Sequence, residues 1–459
     1  MSTASTPAID EPSTPLLRRA VGAAAIGNAT EWYDYGVYAY VATEIGHNFF
    51  PGSYSTLASL LVYAVSFVLR PLGGLIWGPI GDRIGRNRVM SMTIILMAVG
   101  TFLVGVIPSY QSIGFWAPVL LVLLRVVQGF STGGEYGGAA TFMAEYAPDR
   151  RRGFWGSFLE FGTLAGFTAG LGITLALRSG LGEAAMTSWG WRIPFLVGLP
   201  LGMIGLYLRT RMEDTPVFRE LQEKQQVEPQ ARQALKDLFK QHWRPIVRLF
   251  GLVIALNVAN YTLLAYMPTY MQTQAGLSAT STDILLIIGQ LIMMALIWLA
   301  GSLSDRIGRK ACWWISLVGL FIVAAPCFWL IGQGFAWGVV GFTIMGVIYL
   351  LQPGTITATF PAMFTEHVRY AGMAIGYNVA TAAFGGTAAP INDALVAATG
   401  NKLMPAFYMM AAMVIGMIAL ARVPETRLCS IRGRGVPGVD THPEPPTEQP
   451  VATPKVRPA

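Results

Sequence analysis

Carboxylates stand inside otherwise apolar runs of this sequence. Glu135 lies in V-V-Q-G-F-S-T-G-G-E-Y-G-G-A-A-T-F (126–142), Glu31 and Asp34 in G-N-A-T-E-W-Y-D-Y-G-V-Y (27–38), and Glu160 in a third run. Arg70 and Arg125 occupy similar settings and are candidate counter-charges. A charge at the centre of a bilayer costs at least about 2.5–3.5 kcal/mol, so ionisable residues there mark paths for protons, ions or solutes. The chemistry open to such a carboxylate is binding and releasing a proton. No histidine competes for the task, because His47, His242, His367 and His442 fall at the ends of apolar runs or between them. Proton coupling is therefore assigned to Glu135 first, then to Glu31, Asp34 and Glu160. For each, a second reading stands: an ion pair or hydrogen bond that only fixes helix packing.

Helical projection at 100° per residue groups these positions. Gln128, Ser131 and Glu135 form a polar stripe, with Arg125 at its outer edge. Gly129, Gly133, Gly134, Gly137 and Gly138 make a broad opposite face suited to close helix approach. Asn28, Glu31, Tyr35 and Tyr38 share a face, with Asp34 beside it. Ser157, Glu160 and Thr163 form a looser stripe; Asn257, Asn260 and Tyr261 form another, and Tyr349, Gln352 and Thr355 one more. Aromatic residues adjoin them: Trp32, Tyr33, Tyr35, Tyr38, Tyr136 and Tyr261. Aromatic faces near a carboxylate hold a quaternary ammonium, each face adding about 0.5–2 kcal/mol. A di- or tricarboxylate would instead need uncovered arginines. Acidic side chains inside the apolar runs outnumber basic ones, which favours a cationic or zwitterionic solute. The candidate solute contacts are Asn28, Tyr35, Tyr38, Gln128, Tyr136, Asn257, Asn260, Tyr261, Tyr349 and Gln352. Taken alone, each stripe serves helix–helix hydrogen bonding equally well.

Long apolar helices must position these residues. The chain has 459 residues, 53 % hydrophobic and 12 % charged, with mean hydropathy +0.49. A soluble chain carries about a quarter charged residues. One span takes about 20 apolar residues, and twelve are legible: near 19–44, 57–80, 89–108, 116–146, 154–177, 190–209, 246–271, 281–303, 312–331, 336–359, 371–398 and 404–422. The expected organisation is all-α: a disordered tail (1–17), a six-helix half (18–209), a linker (210–245), a second six-helix half (246–424) and a disordered Pro-rich tail (425–459). Residues 18–44 lack a clear A-x-A site and contain Glu31 and Asp34, so they do not read as a cleaved signal.

The net charge of +7 does not point to nucleic acid, because it is spread in short clusters between apolar runs. Arg18/Arg19, Arg83/Arg86/Arg88, Arg150–Arg152, Arg306/Arg309/Lys310 and Arg369 fall on one side; Arg178, Arg192 and Lys402 are the exceptions on the other. That asymmetry places both termini in the cytoplasm. An enzyme reading finds no site. G-F-S-T-G (129–133) matches the nucleophile elbow by letter but lies in a helix rather than a strand–turn–helix. No H-E-x-x-H or G-x-x-x-x-G-K-[ST] occurs. Cys312, Cys327 and Cys429 lack metal-ligand spacing. No enzyme activity, cofactor or metal is expected.

G-P-I-G-D-R-I-G-R-N-R (78–88) recurs as G-S-L-S-D-R-I-G-R-K-A (301–311), and Arg150 with Gly153 is echoed by Arg369 with Gly372. Duplicated halves in transporters place a solute site between them, near the midplane. The twin G-x-x-x-D-R-x-G-R loops and R-V-V-Q-G in the fourth span resemble the major facilitator superfamily. Within it, G-N-A-T-E-W-Y-D-Y-G-V-Y, R-P-L-G-G (70–74), Q-G-F-S-T-G-G-E-Y-G-G-A (128–139), W-G-W-R-I-P-F (189–195) and E-D-T-P-V-F (213–218) resemble the metabolite:proton symporter family. Span 7 (251–270) and M-P-A-F-Y-M-M (404–410) resemble its proline/betaine osmoprotectant branch. The likeness covers about residues 20–425.

The resemblance implies two pseudo-symmetric six-helix halves, with spans 1, 4, 7 and 10 lining a central cavity and Arg125 tuning a carboxylate. It implies secondary active transport by alternating access, expected here as import of a small zwitterionic solute of the proline or glycine betaine type by proton symport. The alternative is symport of a metabolite carboxylate of the dicarboxylate, citrate or shikimate type. The Gly-Pro motif of drug antiporters is missing from span 5, which favours import. Gly78, Asp82, Arg83, Gly85, Arg86, Asp305, Arg306, Gly308 and Arg309 are the candidates for conformational gating. Their charges can form networks or cap helix N-termini in one state and part in the other. Some osmosensory members carry a long C-terminal coiled coil where this chain has a short Pro-rich tail, so the likeness speaks for solute class more than for osmotic regulation. The expected partners are a small solute, a proton and the lipid bilayer of a bacterial-type inner membrane, with no nucleic acid. A single chain is expected to suffice.

Overall fold

The computed structural model describes residues 14–84, 86–133, 135–210, 240, 243–431 and 437. It is an all-α membrane protein of twelve spans. Span 1 is Thr14–Tyr40, followed by the short helix Ala42–Phe49. Span 2 is Ser55–Val68 with Arg70–Ile84, span 3 is Arg86–Val106, and span 4 is Trp116–Thr132 with Glu135–Tyr146. Span 5 is Arg152–Leu181 and span 6 is Ile193–Thr210. Span 7 is Trp243–Tyr261, a π-turn at Thr262–Tyr266, and Met267–Thr273. Spans 8 and 9 are Ala279–Ile307 and Arg309–Ile331. Span 10 is Phe335–Tyr349 followed by Ile356–Thr359, span 11 is Glu366–Phe384 with Ala388–Thr399, and span 12 is Met404–Ala421.

Among the described residues, eight of these are long and apolar enough to cross a membrane on length and composition alone. The other four, spans 1, 3, 4 and 11, each include residues whose side chains lie outside the described ones. Span 1 also carries Arg18, Arg19, Glu31 and Asp34. The sequence reading has 116–146 and 371–398 as continuous spans. The structure interrupts span 4 after Thr132 and span 11 at Gly385–Gly386. Glycine costs about 1 kcal/mol in a helix relative to alanine, and paired glycines concentrate that cost. Span 7 slips into a π-turn before Pro268, whose missing N–H removes one rung of the helical ladder.

Span 1 lies along span 5, span 3 along span 6, span 7 along span 12, and span 9 along spans 10 and 12. Between the halves, span 5 lies along span 8 and span 11 along span 2. Those two seams exchange under the sequence repeat. Span 7 is enclosed, with every residue from Gly251 to Met271 buried, as expected of a helix at the centre of the bundle. The tail and linker readings at 1–17, 210–245 and 425–459 fall largely outside the described residues. Three parts do not: residues 14–17, read as disordered tail, begin the helix of span 1; residues 243–245, read as linker, begin span 7; and residues 425–431, read as tail, are docked. The Glu425 carboxylate accepts from the N–H groups of Arg309 and Lys310, each at 3.0 Å, and Arg152 donates to the Cys429 carbonyl at 3.3 Å.

Candidate transport site

Span 1 and span 2 build the central ion pair. Arg70 opens the second helix of span 2, just past its break, and its Nη2 lies 2.9 Å from Glu31 Oε1. Both side chains are buried, Arg70 at 0 % and Glu31 at 5 % exposure. The guanidinium carbon of Arg70 lies 5.7, 4.7 and 4.8 Å from the ring centroids of Trp32, Tyr35 and Phe67. Tyr261 of span 7 closes this group from the other half, 6.1 Å from Trp32 and 5.0 Å from Phe67 between centroids. Arg70 Nε and Nη1 and the Tyr261 hydroxyl have no hydrogen-bond partner. Buried donors are nearly always paired, and Arg125 likewise leaves its Nε and Nη2 without a partner.

The span 2–span 4 contact is made by glycine. A Cβ at Gly129 would stand 1.9 Å from the Ser66 carbonyl oxygen, and one at Gly133 would stand 2.0 Å from that of Arg70. No side chain fits there, so the small face read from the sequence sets how closely span 4 approaches Arg70.

Asp34 makes a different centre within the first half. It accepts from Arg125 at 3.0 Å, Gln128 at 3.1 Å and Thr101 at 2.7 Å. The Arg125 guanidinium lies 3.9 Å from the centroid of Tyr38, whose hydroxyl donates to the Ser59 carbonyl at 3.0 Å. A cavity of about 20 Å³, room for about one water molecule, is lined by both Glu31 and Asp34.

A third group straddles the halves. Tyr136 donates to Glu160 and stacks on Tyr377 at 4.4 Å and 15°. Tyr349 donates to Asn260 at 2.7 Å. Asn378 donates across the seam to the Gly133 carbonyl at 2.8 Å, at the break in span 4.

Other predicted positions are occupied by helix–helix contacts. Asn28 donates to Leu159 O and Thr163 and accepts from Trp32, which uses three of its four bonding positions. Asn257 donates to Thr381. Ser131 donates to the Thr93 carbonyl, so the projected stripe with Gln128 divides between neighbours. Gln352 does not join Tyr349; it donates to Ser316 and to Met413. The Glu135 side chain lies outside the described residues, although its backbone opens the second helix of span 4. Gly85 and the side chains of Asp82, Arg83 and Arg86 also lie outside them, as does the surrounding of Gly78.

The second loop copy is described. The Asp305 carboxylate accepts from the N–H groups of Gly153 and Phe154, each at 2.9 Å, and so caps span 5 from the other half. Arg309 pairs with it at 2.7 Å, Gly308 turns the chain at φ +103°, and Arg306 is exposed. At the far end of span 5, buried Arg178 pairs with both Glu44 and Asp283, again crossing to span 8. Between these ends, Gln290 of span 8 donates to Tyr40 at 2.9 Å.

The sequence reading missed Phe67, Tyr377 and the Arg178 triad. For the triad there was a signal: Arg178 is an arginine on the side poor in basic residues, with Glu44 and Asp283 at neighbouring span ends.

A family model described as Major Facilitator Superfamily matches residues 24–390. The Proline/betaine transporter of Escherichia coli K12 is 42 % identical over 430 residues, covering 91 % of this chain and 85 % of that one. The Glycine betaine/proline/ectoine/pipecolic acid transporter OusA of Dickeya dadantii is 42 % identical with the same coverage. The Ectoine/proline transporter ProP of Corynebacterium glutamicum is 39 % identical, covering 93 % of this chain and 88 % of that one. Among solved structures, the proton:xylose symporter XylE bound to 6-bromo-6-deoxy-D-glucose matches with a TM-score of 0.72 at 17 % identity, over 93 % of this chain and 98 % of that one.

Proposed function

The chain belongs to the major facilitator superfamily, among the relatives of the proline/betaine transporters, and from that premise we propose that it imports a small zwitterion in symport with a proton. The observation that carries the reading is the buried Glu31–Arg70 pair, ringed by Trp32, Tyr35, Phe67 and Tyr261, with open donors on Arg70. A zwitterion suits this group once Glu31 is protonated. Its carboxylate takes the Arg70 donors, and its cationic group takes the aromatic faces that Arg70 now covers. Proline, glycine betaine, ectoine and pipecolic acid, the solutes in the relatives' names, are all zwitterions.

Coupling follows from what Arg70 tolerates. Removing one partner of a buried ion pair costs about 3–5 kcal/mol, because the other charge stays buried alone. A proton arriving on Glu31 would strand Arg70 in that way. A substrate carboxylate arriving in the same step restores a partner. Proton and solute therefore load together, and neither loads well alone. Each net charge moved inward gains about 2.3 kcal/mol per 100 mV of potential, which drives accumulation. The reading includes alternating access along the span 5–span 8 and span 2–span 11 seams, an inner-membrane location, the arginine-rich loop face in the cytoplasm, and a single chain as the working unit.

A second reading rests on the same arginine. The open donors of Arg70 also suit a metabolite carboxylate that carries no cation. One experiment separates the two: uptake of labelled glycine betaine into cells lacking their own osmolyte carriers. The zwitterion reading expects accumulation that collapses with a protonophore and is displaced by excess proline but not by succinate. No uptake in cells that make the protein, or displacement by succinate alone, transfers the assignment to a carboxylate.

A further inference from the structure

The face bearing the D-R-x-G-R loops has a second feature, outside the solute site. Where span 7 begins and span 12 ends, a groove of about 580 Å³ opens between them. Its floor is a close approach: a Cβ at Gly251 would stand 2.6 Å from the Ala419 Cβ. Val247, Ile415 and Ile418 wall it, and each is exposed, Ile418 at 69 %. Its rim holds Arg244, Arg248 and Arg422. Arg244 and Arg248 are one helical turn apart on span 7, and Arg422 directly follows span 12. Trp243 stands beside them, its ring centroid 5.6 Å from the Arg244 guanidinium carbon. Among the described residues, no acidic side chain lines the groove and none of the three arginines has an ion-pair partner.

Three unneutralised guanidinium groups next to an apolar channel call for an occupant that is anionic at one end and hydrocarbon along the rest. We propose that this groove binds an anionic glycerophospholipid, with its phosphate among Arg244, Arg248 and Arg422 and an acyl chain along Val247, Ile415 and Ile418. Planar guanidinium forks match phosphate oxygens. Basic clusters between helices at the membrane surface select anionic head groups. Trp243 suits the head-group depth where tryptophan collects. Free phosphate would satisfy the arginines and leave the apolar walls without a role, so the lipid fits both parts of the groove.

The test uses the purified full chain, mixed with equal amounts of phosphatidylglycerol and phosphatidylcholine and weighed by native mass spectrometry. Phosphatidylglycerol adducts should dominate. Arg244→Gln/Arg248→Gln/Arg422→Gln should cut that preference by about 100-fold. Arg150→Gln/Arg151→Gln, exposed arginines elsewhere on the same face, should leave it intact. Arg422→Glu alone, exposed beyond the end of span 12, gives the same readout should the triple variant fold poorly. Equal loss in the two multiple variants, or no loss in the triple one, overturns the site and leaves the arginines as orientation signals. Displacement of the adduct by millimolar inorganic phosphate would also overturn it, in favour of a free-anion site.

Discussion

Glu31 with Arg70 and Asp34 with Arg125 are buried ion pairs three residues apart on one helix, closed to 2.9 and 3.0 Å. Their neighbours differ. Asp34 is held by Thr101 and Gln128 as well as Arg125, all from spans 3 and 4 of the same half. Arg70 instead lies against aromatic rings that touch Tyr261 of the other half. A charge pair enclosed within one rigid half can hold that half together through any motion between halves. A charge pair at the seam changes its surroundings whenever the halves move. On the reading proposed above, the contrast assigns one pair to scaffold and the other to work, although composition and spacing make the two pairs look alike.

The largest effect is expected at Arg70. Arg70→Ala should reduce glycine betaine uptake at least about 100-fold, in line with roughly 3–5 kcal/mol for a stranded buried charge, with protein still present in the membrane by immunoblot. Near-normal uptake would erase the distinction drawn above. Glu31→Gln comes next: net accumulation should vanish while exchange of labelled for unlabelled betaine persists. Loss of both activities would make Glu31 a binding group rather than the proton carrier.

Asp34→Asn should act on stability. We expect a lower thermal midpoint and a KM within about threefold of the parent, with the double variant Asp34→Asn/Arg125→Gln melting higher than the single one, since removing both partners strands no charge. A large KM change with unaltered melting would move Asp34 into the solute path. The smallest effect belongs to Tyr261. Tyr261→Ala should weaken betaine about 2- to 30-fold, the range of one aromatic face, and Tyr261→Phe by less than that because the ring remains. Equal losses in both would assign the role to the hydroxyl.

Much of this was legible in the sequence. Apolar run lengths mark the twelve spans, and the intramembrane carboxylates of span 1 fall in the centre of the molecule. What a helical projection cannot supply is the identity of the neighbour. It groups Gln128 with Ser131, yet one meets Asp34 and the other the Thr93 carbonyl. It groups Tyr349 with Gln352, yet they serve different helices. Phe67 carries no polar signal and Tyr377 belongs to none of the stripes read from the sequence, so their place beside Arg70 and Tyr136 emerges only once spans 2 and 11 are packed. The breaks in spans 4 and 11 were visible as glycine pairs, but a glycine pair also serves close packing, and only the fold separates the two uses.

The fastening of span 5 at both ends has an electrical meaning. Asp305 holds its start and Arg178 its finish, each bound to span 8. A carrier driven by a proton gradient works as an insulator with one moving contact, and a continuous water path through it would short the membrane that powers it. With two separate fasteners on one helix, releasing either end leaves the other as the pivot and the seal. Under the proton symport proposed above, the membrane would then stay charged through the whole stroke, whichever terminal is open.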